Sequence, residues 1–99
     1  MIVYEVNLSI NHSIYNQYRK WLKNHIRKML TFRGFCKYHL YDVSSDHSNT
    51  IKLSVHYYVD SLEDLQYYFE HHAEIMRLEG LKLFGNNFSA SRRVLSILE

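Results

Sequence analysis

Ninety-nine residues are enough for one ordinary domain and too few for two, so residues 1–99 read as a single domain. Hydrophobic residues make up 46% and aromatics 15%, enough apolar mass for a core that needs no disulfide or metal to hold it. Twelve Lys and Arg against ten Asp and Glu leave a formal charge of +2, too mild and too dispersed to name a polyanion as partner.

Cys36 is the only cysteine, which rules out an intrachain disulfide and points to a reducing, cytoplasmic setting. Met1 runs straight into strand residues without the charged and apolar pattern of a leader. No apolar run approaches membrane length, so no membrane partner is expected.

Ile2, Tyr4, Val6, Leu8 and Ile10 alternate with Val3, Glu5, Asn7 and Ser9, the period of a strand with one buried face. Asn11 and Ser13 are candidate helix caps. Behind them Ile14, Tyr18, Trp21, Leu22, Ile26, Met29 and Leu30 form an apolar stripe that Gly34 ends. Arg19, Lys20, Lys23, Arg27 and Lys28 share this helix as its solvated side. Phe35–Val43 and Thr50–Val59 read as two strands of a hairpin joined by the polar link Val43–Asn49.

Ser61-Leu62-Glu63-Asp64 has the form of a capping box with Asp in place of Glu. It opens a helix whose stripe is Leu62, Leu65, Phe69, Ala73 and Met76. Gly80 is the expected bend, Gly85 the expected end, and Leu81, Leu83 and Phe84 are expected to pack between them. Phe88–Leu98 is the last strand.

Strand, helix, strand, strand, helix, strand folds most economically as a ferredoxin-like βαββαβ domain of the α+β class. It has a four-stranded antiparallel sheet, both helices on one face, and the first and third strands central. Tyr4, Val6 and Leu8, with Ile51, Leu53 and Val55, are expected under the helices. The open face then carries Val3, Glu5, Asn7, Lys52, Ser54, His56 and Tyr58, joined by Lys37, His39 and Tyr41 from the second strand. Arg92 joins them if the last strand alternates with Phe88, Ala90 and Val94. Cys36 is expected to point inward with Tyr38 and Leu40, as inert filler.

Met1-Ile2-Val3-Tyr4-Glu5-Val6-Asn7, Trp21-Leu22, Ser61-Leu62-Glu63-Asp64, His72-Ala73, Leu83-Phe84-Gly85 and Phe88 together resemble a bacterial domain-of-unknown-function family of about this length. That family is similar in fold to the dimeric α/β barrels, in which two such sheets pack face to face. The resemblance implies a homodimer and a cavity bounded by sheet and helices, and it implies no particular activity. The chain departs from the family in its second helix, where Gly80 stands in a segment expected to be more helix-prone.

Glu5, Asn7, His56, His39 and Arg92 are the residues that could carry chemistry. A carboxylate, an imidazole and a guanidinium on one face could move a proton or hold an anion. Glu5 and His56 are the proton-handling candidates. Asn7, His39, Tyr58 and Arg92 are the ligand-binding ones. The function expected is that of a small-molecule-binding or cofactor-independent enzymatic dimer. The alternative is a non-enzymatic interaction module whose polar sheet face is only a dimer seam. A closed pocket lined by Glu5, His39 and His56 would mark the first, a flat seam the second.

Other chemistries find little footing. His71 and His72 point apart on a helix, and His71 with Glu74 supplies only two ligands, so no metal is expected. The third strand lacks the glycine of an RNA-recognition motif and the first carries Glu5, which repels phosphate, so no nucleic acid is expected. There is no Gly-x-Ser-x-Gly, phosphate loop or dinucleotide fingerprint, hence no expected cofactor.

Overall fold

Ten alternating residues at the start of the chain form β1, Ile2–Asn11, in a computed structural model that describes residues 1–44 and 49–99. Asn11 closes the strand by accepting a hydrogen bond from the Ser13 amide at 3.0 Å, which starts a 3₁₀ turn over His12–Ile14. That turn feeds α1, Tyr15–Met29, whose Tyr18, Leu22, Ile26 and Met29 are buried at the spacing of one helical face.

The chain then reverses at Gly34, whose φ of 82° and whose close approach to Asp64 both demand glycine. The second strand, β2, is Phe35–Val43 and the third, β3, is Thr50–Val59. Residues 45–48 of the polar link between them lie outside the described residues.

The helix that follows is broken in two. Ser61 caps α2, Leu62–His71, by accepting from the Asp64 amide at 3.1 Å. At His72 the backbone leaves helical geometry, with φ −131° and ψ −28°, and α3 runs from Ala73 to Phe84. The bend expected at Gly80 therefore falls eight residues earlier, at His72, whose ring stacks on Phe32 at 4.2 Å. Among the described residues three α-helices, not two, cover the sheet. Leu65, Tyr68, Ala73, Met76 and Gly80 face inward, whereas Leu62, Phe69, Leu81 and Leu83, expected to pack inward, are exposed. Gly85 ends α3, and Phe88–Ser96 forms β4.

The sheet order is β2-β3-β1-β4, antiparallel throughout, with β1 and β3 central as the alternation requires. Tyr4 and Leu8 from β1, with Leu53, Val55, Tyr57 and Val59 from β3, lie buried under the helices. Each of the large aliphatic side chains there contributes about 1.5–3 kcal/mol of hydrophobic stabilisation. The inward face is unusually rich in phenols: Tyr4 packs against Tyr57, Tyr68 and Phe69 with ring centroids 6.2, 5.8 and 5.4 Å away.

Two sequence expectations fail on backbone register. A bulge between Phe35 and Lys37 gives β2 one extra residue, so Cys36 turns outward. Its thiol donates to Asp60 Oδ1 at 2.8 Å instead of filling the core. In β4, Glu5 stands opposite Arg93 and Val6 opposite Arg92. Phe88 and Ala90 pack against the core, and Arg92, two residues on, shares their side. Arg92 therefore belongs to the helix face, and Arg93 is the guanidinium of the open face.

Candidate functional site

The open sheet face gathers Glu5, Asn7, His56, His39 and Tyr58 as expected, with Arg93 in the place foreseen for Arg92. Direct cross-strand pairing sets Glu5 against His56 and Asn7 against Ser54, with His39 opposite His56 on the next strand. Glu5 is only 5% exposed. Its carboxylate accepts four hydrogen bonds: two from Arg93, one from Asn7 Nδ2 at 2.9 Å and one from His56 Nε2 at 3.0 Å. Ser54 Oγ extends the chain by donating to Asn7 Oδ1 at 2.8 Å. Because an ionised carboxylate only accepts, His56 carries its proton on Nε2 in this bond.

The hydrogen bonds from Arg93, with that of Asn7 and the nearby charge, outweigh burial and hold the Glu5 carboxyl at about 2, far below the usual 4.5. A carboxylate so committed keeps no free lone pair for a substrate and takes up no proton near neutral pH. Toward the sheet edge, His39 Nδ1 lies 3.2 Å from the Tyr58 hydroxyl, Tyr41 meets His56 edge-on, and Lys37 Nζ sits 4.8 Å over the Tyr58 ring.

A cavity of about 230 Å³ lies on the other side of the sheet, between helices and strands. Its floor is Tyr4 and Val6 of β1, Tyr57 of β3 and Ala90 of β4. Its walls are Tyr18, Trp21 and His25 of α1, Tyr68 of α2 and Gly80 of α3. Gly80 is what lets α3 approach α1: a Cβ there would come within 3.0 Å of the Trp21 ring. Two arginines, Arg77 and Arg92, also line the cavity, and both are exposed.

Burial raises the phenols of Tyr18, Tyr57 and Tyr68 above their usual range, so all three remain O–H donors at any physiological pH. His25 stacks on Trp21 at 4.6 Å, and burial lowers its imidazole to about 4, leaving it neutral at pH 7. Its Nδ1 is buried without a hydrogen-bond partner among the described residues. Arg77 Nη2 donates to the Tyr4 hydroxyl at 3.3 Å. This arrangement can hold a small, largely apolar molecule and offer it phenol donors, a neutral imidazole and two positive charges.

The helical stripe marks Tyr18 and Trp21 as core, and the strand pattern places Tyr4 under the helices. Neither reveals that a space is left among them. The available signal is chemical: nine Tyr against five Phe is a costly way to build a dry core, because buried hydroxyls need partners. His25 and Arg77 carry no comparable mark in the sequence.

Four antiparallel strands in the order β2-β3-β1-β4 with the helices on one face define a ferredoxin-like α+β fold. Solved structures share this architecture. The chain superposes on a protein from Deinococcus radiodurans described as a putative antibiotic biosynthesis monooxygenase, with a TM-score of 0.74, 16% identity, and coverage of 100% of this chain and 94% of that one. SnoaB, a cofactor-independent oxygenase from Streptomyces nogalater, gives a TM-score of 0.68 at 9% identity over 99% of this chain and 94% of its own. A dimeric ferredoxin-like protein from an uncultured marine organism gives 0.61 at 12% identity, covering 99% and 97%. At such identities the likeness is one of fold alone. The chain belongs to the family described as domain of unknown function DUF4286, whose model matches residues 1–98. No curated protein matches the sequence. Among the described residues, no helix is long and apolar enough to cross a membrane.

Proposed function

We propose that this chain works as a single-domain homodimer, in a reducing cytoplasm, that binds a small molecule in the cavity between helices and sheet. The observation that carries this is the space of about 230 Å³ lined by tyrosines and by two exposed arginines. The fold supports it, since structural neighbours include a cofactor-independent oxygenase and a dimeric protein. Chemistry without a cofactor would use what lines the cavity: phenol O–H groups, the neutral imidazole of His25 and the Arg92 charge.

The open face then serves association. Four strands about 5 Å apart and about 30 Å long offer roughly 600 Å² per partner, or about 1,200 Å² in all, the lower end for a stable dimer. Glu5 and His56, first candidates for proton handling, become the fixed polar centre of that seam. Asn7, His39 and Tyr58 belong to it, and Arg92 belongs to the ligand site.

A thermal-shift screen with uncharged small molecules, run on the native chain and on Ala90→Leu, tests the cavity. Binders are expected to raise the midpoint by several degrees in the native chain and to lose that effect when the substituted side chain fills the space. Binders indifferent to the substitution, or none across the library, overturn the assignment. Sedimentation equilibrium tests the dimer, and a single monomeric species at high micromolar concentration counts against it.

A further inference from the structure

The ligand-site reading can be extended to a chemical class, and the extension rests on that reading. The ion pairs of the described residues engage Lys28, Arg33, His56 and Arg93. Arg77 and Arg92 have no carboxylate partner among them. Yet the charges of both reach Tyr68, and that of Arg92 also reaches Tyr18 and His25. Two guanidinium groups lining one cavity with no carboxylate paired to either favour an anion, and their planar forks match a carboxylate. The rest of the lining is largely aromatic, from Tyr4, Tyr18, Trp21, Tyr57 and Tyr68.

Size narrows the choice further. A volume of 230 Å³ falls below the roughly 300 Å³ where pockets for drug-sized ligands begin, leaving room for about one ring and a short substituent. We infer that the cavity takes a single-ring aromatic carboxylate, its ring against the tyrosine wall and its carboxylate held by Arg77 and Arg92.

Trp21 is the only tryptophan of the chain and lines the cavity, so its fluorescence reports occupancy directly. The full chain is titrated with sodium benzoate and, separately, with benzamide, at pH 7.5 and constant ionic strength. Benzoate is expected to change the emission saturably and to bind at least tenfold more tightly than benzamide. Arg92→Gln and Arg77→Gln are each expected to weaken benzoate about tenfold and to leave benzamide unchanged. Benzamide binding as tightly as benzoate, or benzoate indifferent to both substitutions, overturns the anion assignment and leaves the cavity standing as a neutral-ligand site. No response to either compound overturns the assignment as well, and the uncharged-compound screen then shows separately whether the cavity binds anything. The benzoate-to-benzamide ratio is read on the unmodified chain, so the test survives a variant that fails to fold.

Discussion

Replacing Glu5 with Gln removes the charge that organises the open face while keeping its shape. In the folded chain the carboxyl sits at about 2 instead of 4.5, the direction that adds stability above pH 4.5 and loses it as pH falls toward 2. A shift of that size corresponds to about 3 kcal/mol. Arg93, its main partner, is 67% exposed along its side chain, and solvent screening brings the expected contribution to about 1–2 kcal/mol. Urea unfolding of native chain and Glu5→Gln at pH 7, 5, 4 and 3, at one fixed protomer concentration, measures it. The variant is expected to be less stable by about 1–2 kcal/mol at pH 7, with the gap closing between pH 4.5 and 2. Asp64, also held low by Arg33, adds to the acid loss of both proteins and cancels in the difference. A gap that stays constant from pH 7 to 3 would refute the assignment of this carboxylate as an ionised anchor.

Gly34→Ala is expected to destabilise by about 2 kcal/mol or more. Its φ of 82° already strains an L-residue by about 1–2 kcal/mol, and the new Cβ would overlap the Asp64 side chain; thermal denaturation reads the loss. Ser61→Ala removes the acceptor for the Asp64 amide and should lower stability by about 1 kcal/mol in the same assay. Asp60→Asn should speed reaction of Cys36 with a disulfide reagent at pH 8 several-fold, because the Asp60 carboxylate holds the thiol above its usual range and so suppresses thiolate. An unchanged rate would mean that the Cys36–Asp60 contact does not persist in solution.

The strands and their order could be read directly, because two-residue alternation in Ile2–Ile10 and Ile51–Val59 leaves one way to bury a face. That same periodicity put Glu5, Asn7 and His56 on one side, and pairing brought them within hydrogen-bond distance. What failed depended on a count of one residue. The bulge at Cys36 reverses the side of a residue that simple alternation sends inward. Arg92 and Arg93 are adjacent, and only the packing of Phe88 against Tyr18 and Phe84 decides which of them joins Glu5. The helix break eluded propensity too. Gly80 is the weaker helix former, but it is held in α3 by its fit against Trp21, whereas His72 gives way. The cavity could not be foreseen from periodicity, since a stripe of large side chains specifies a buried surface and says nothing of how completely two such surfaces close.

Adjacent residues of β4 therefore hold separate offices, Arg92 at the cavity and Arg93 at Glu5, with Phe88 as the peg that fixes the count. Deleting one residue between Phe88 and Arg92 would carry Arg93 into the slot of Arg92 and set Val94 opposite Glu5, so the open face would lose its guanidinium while the cavity side kept one. Point substitutions can alter one face and leave the other untouched, whereas a change in the length of this strand moves residues on both.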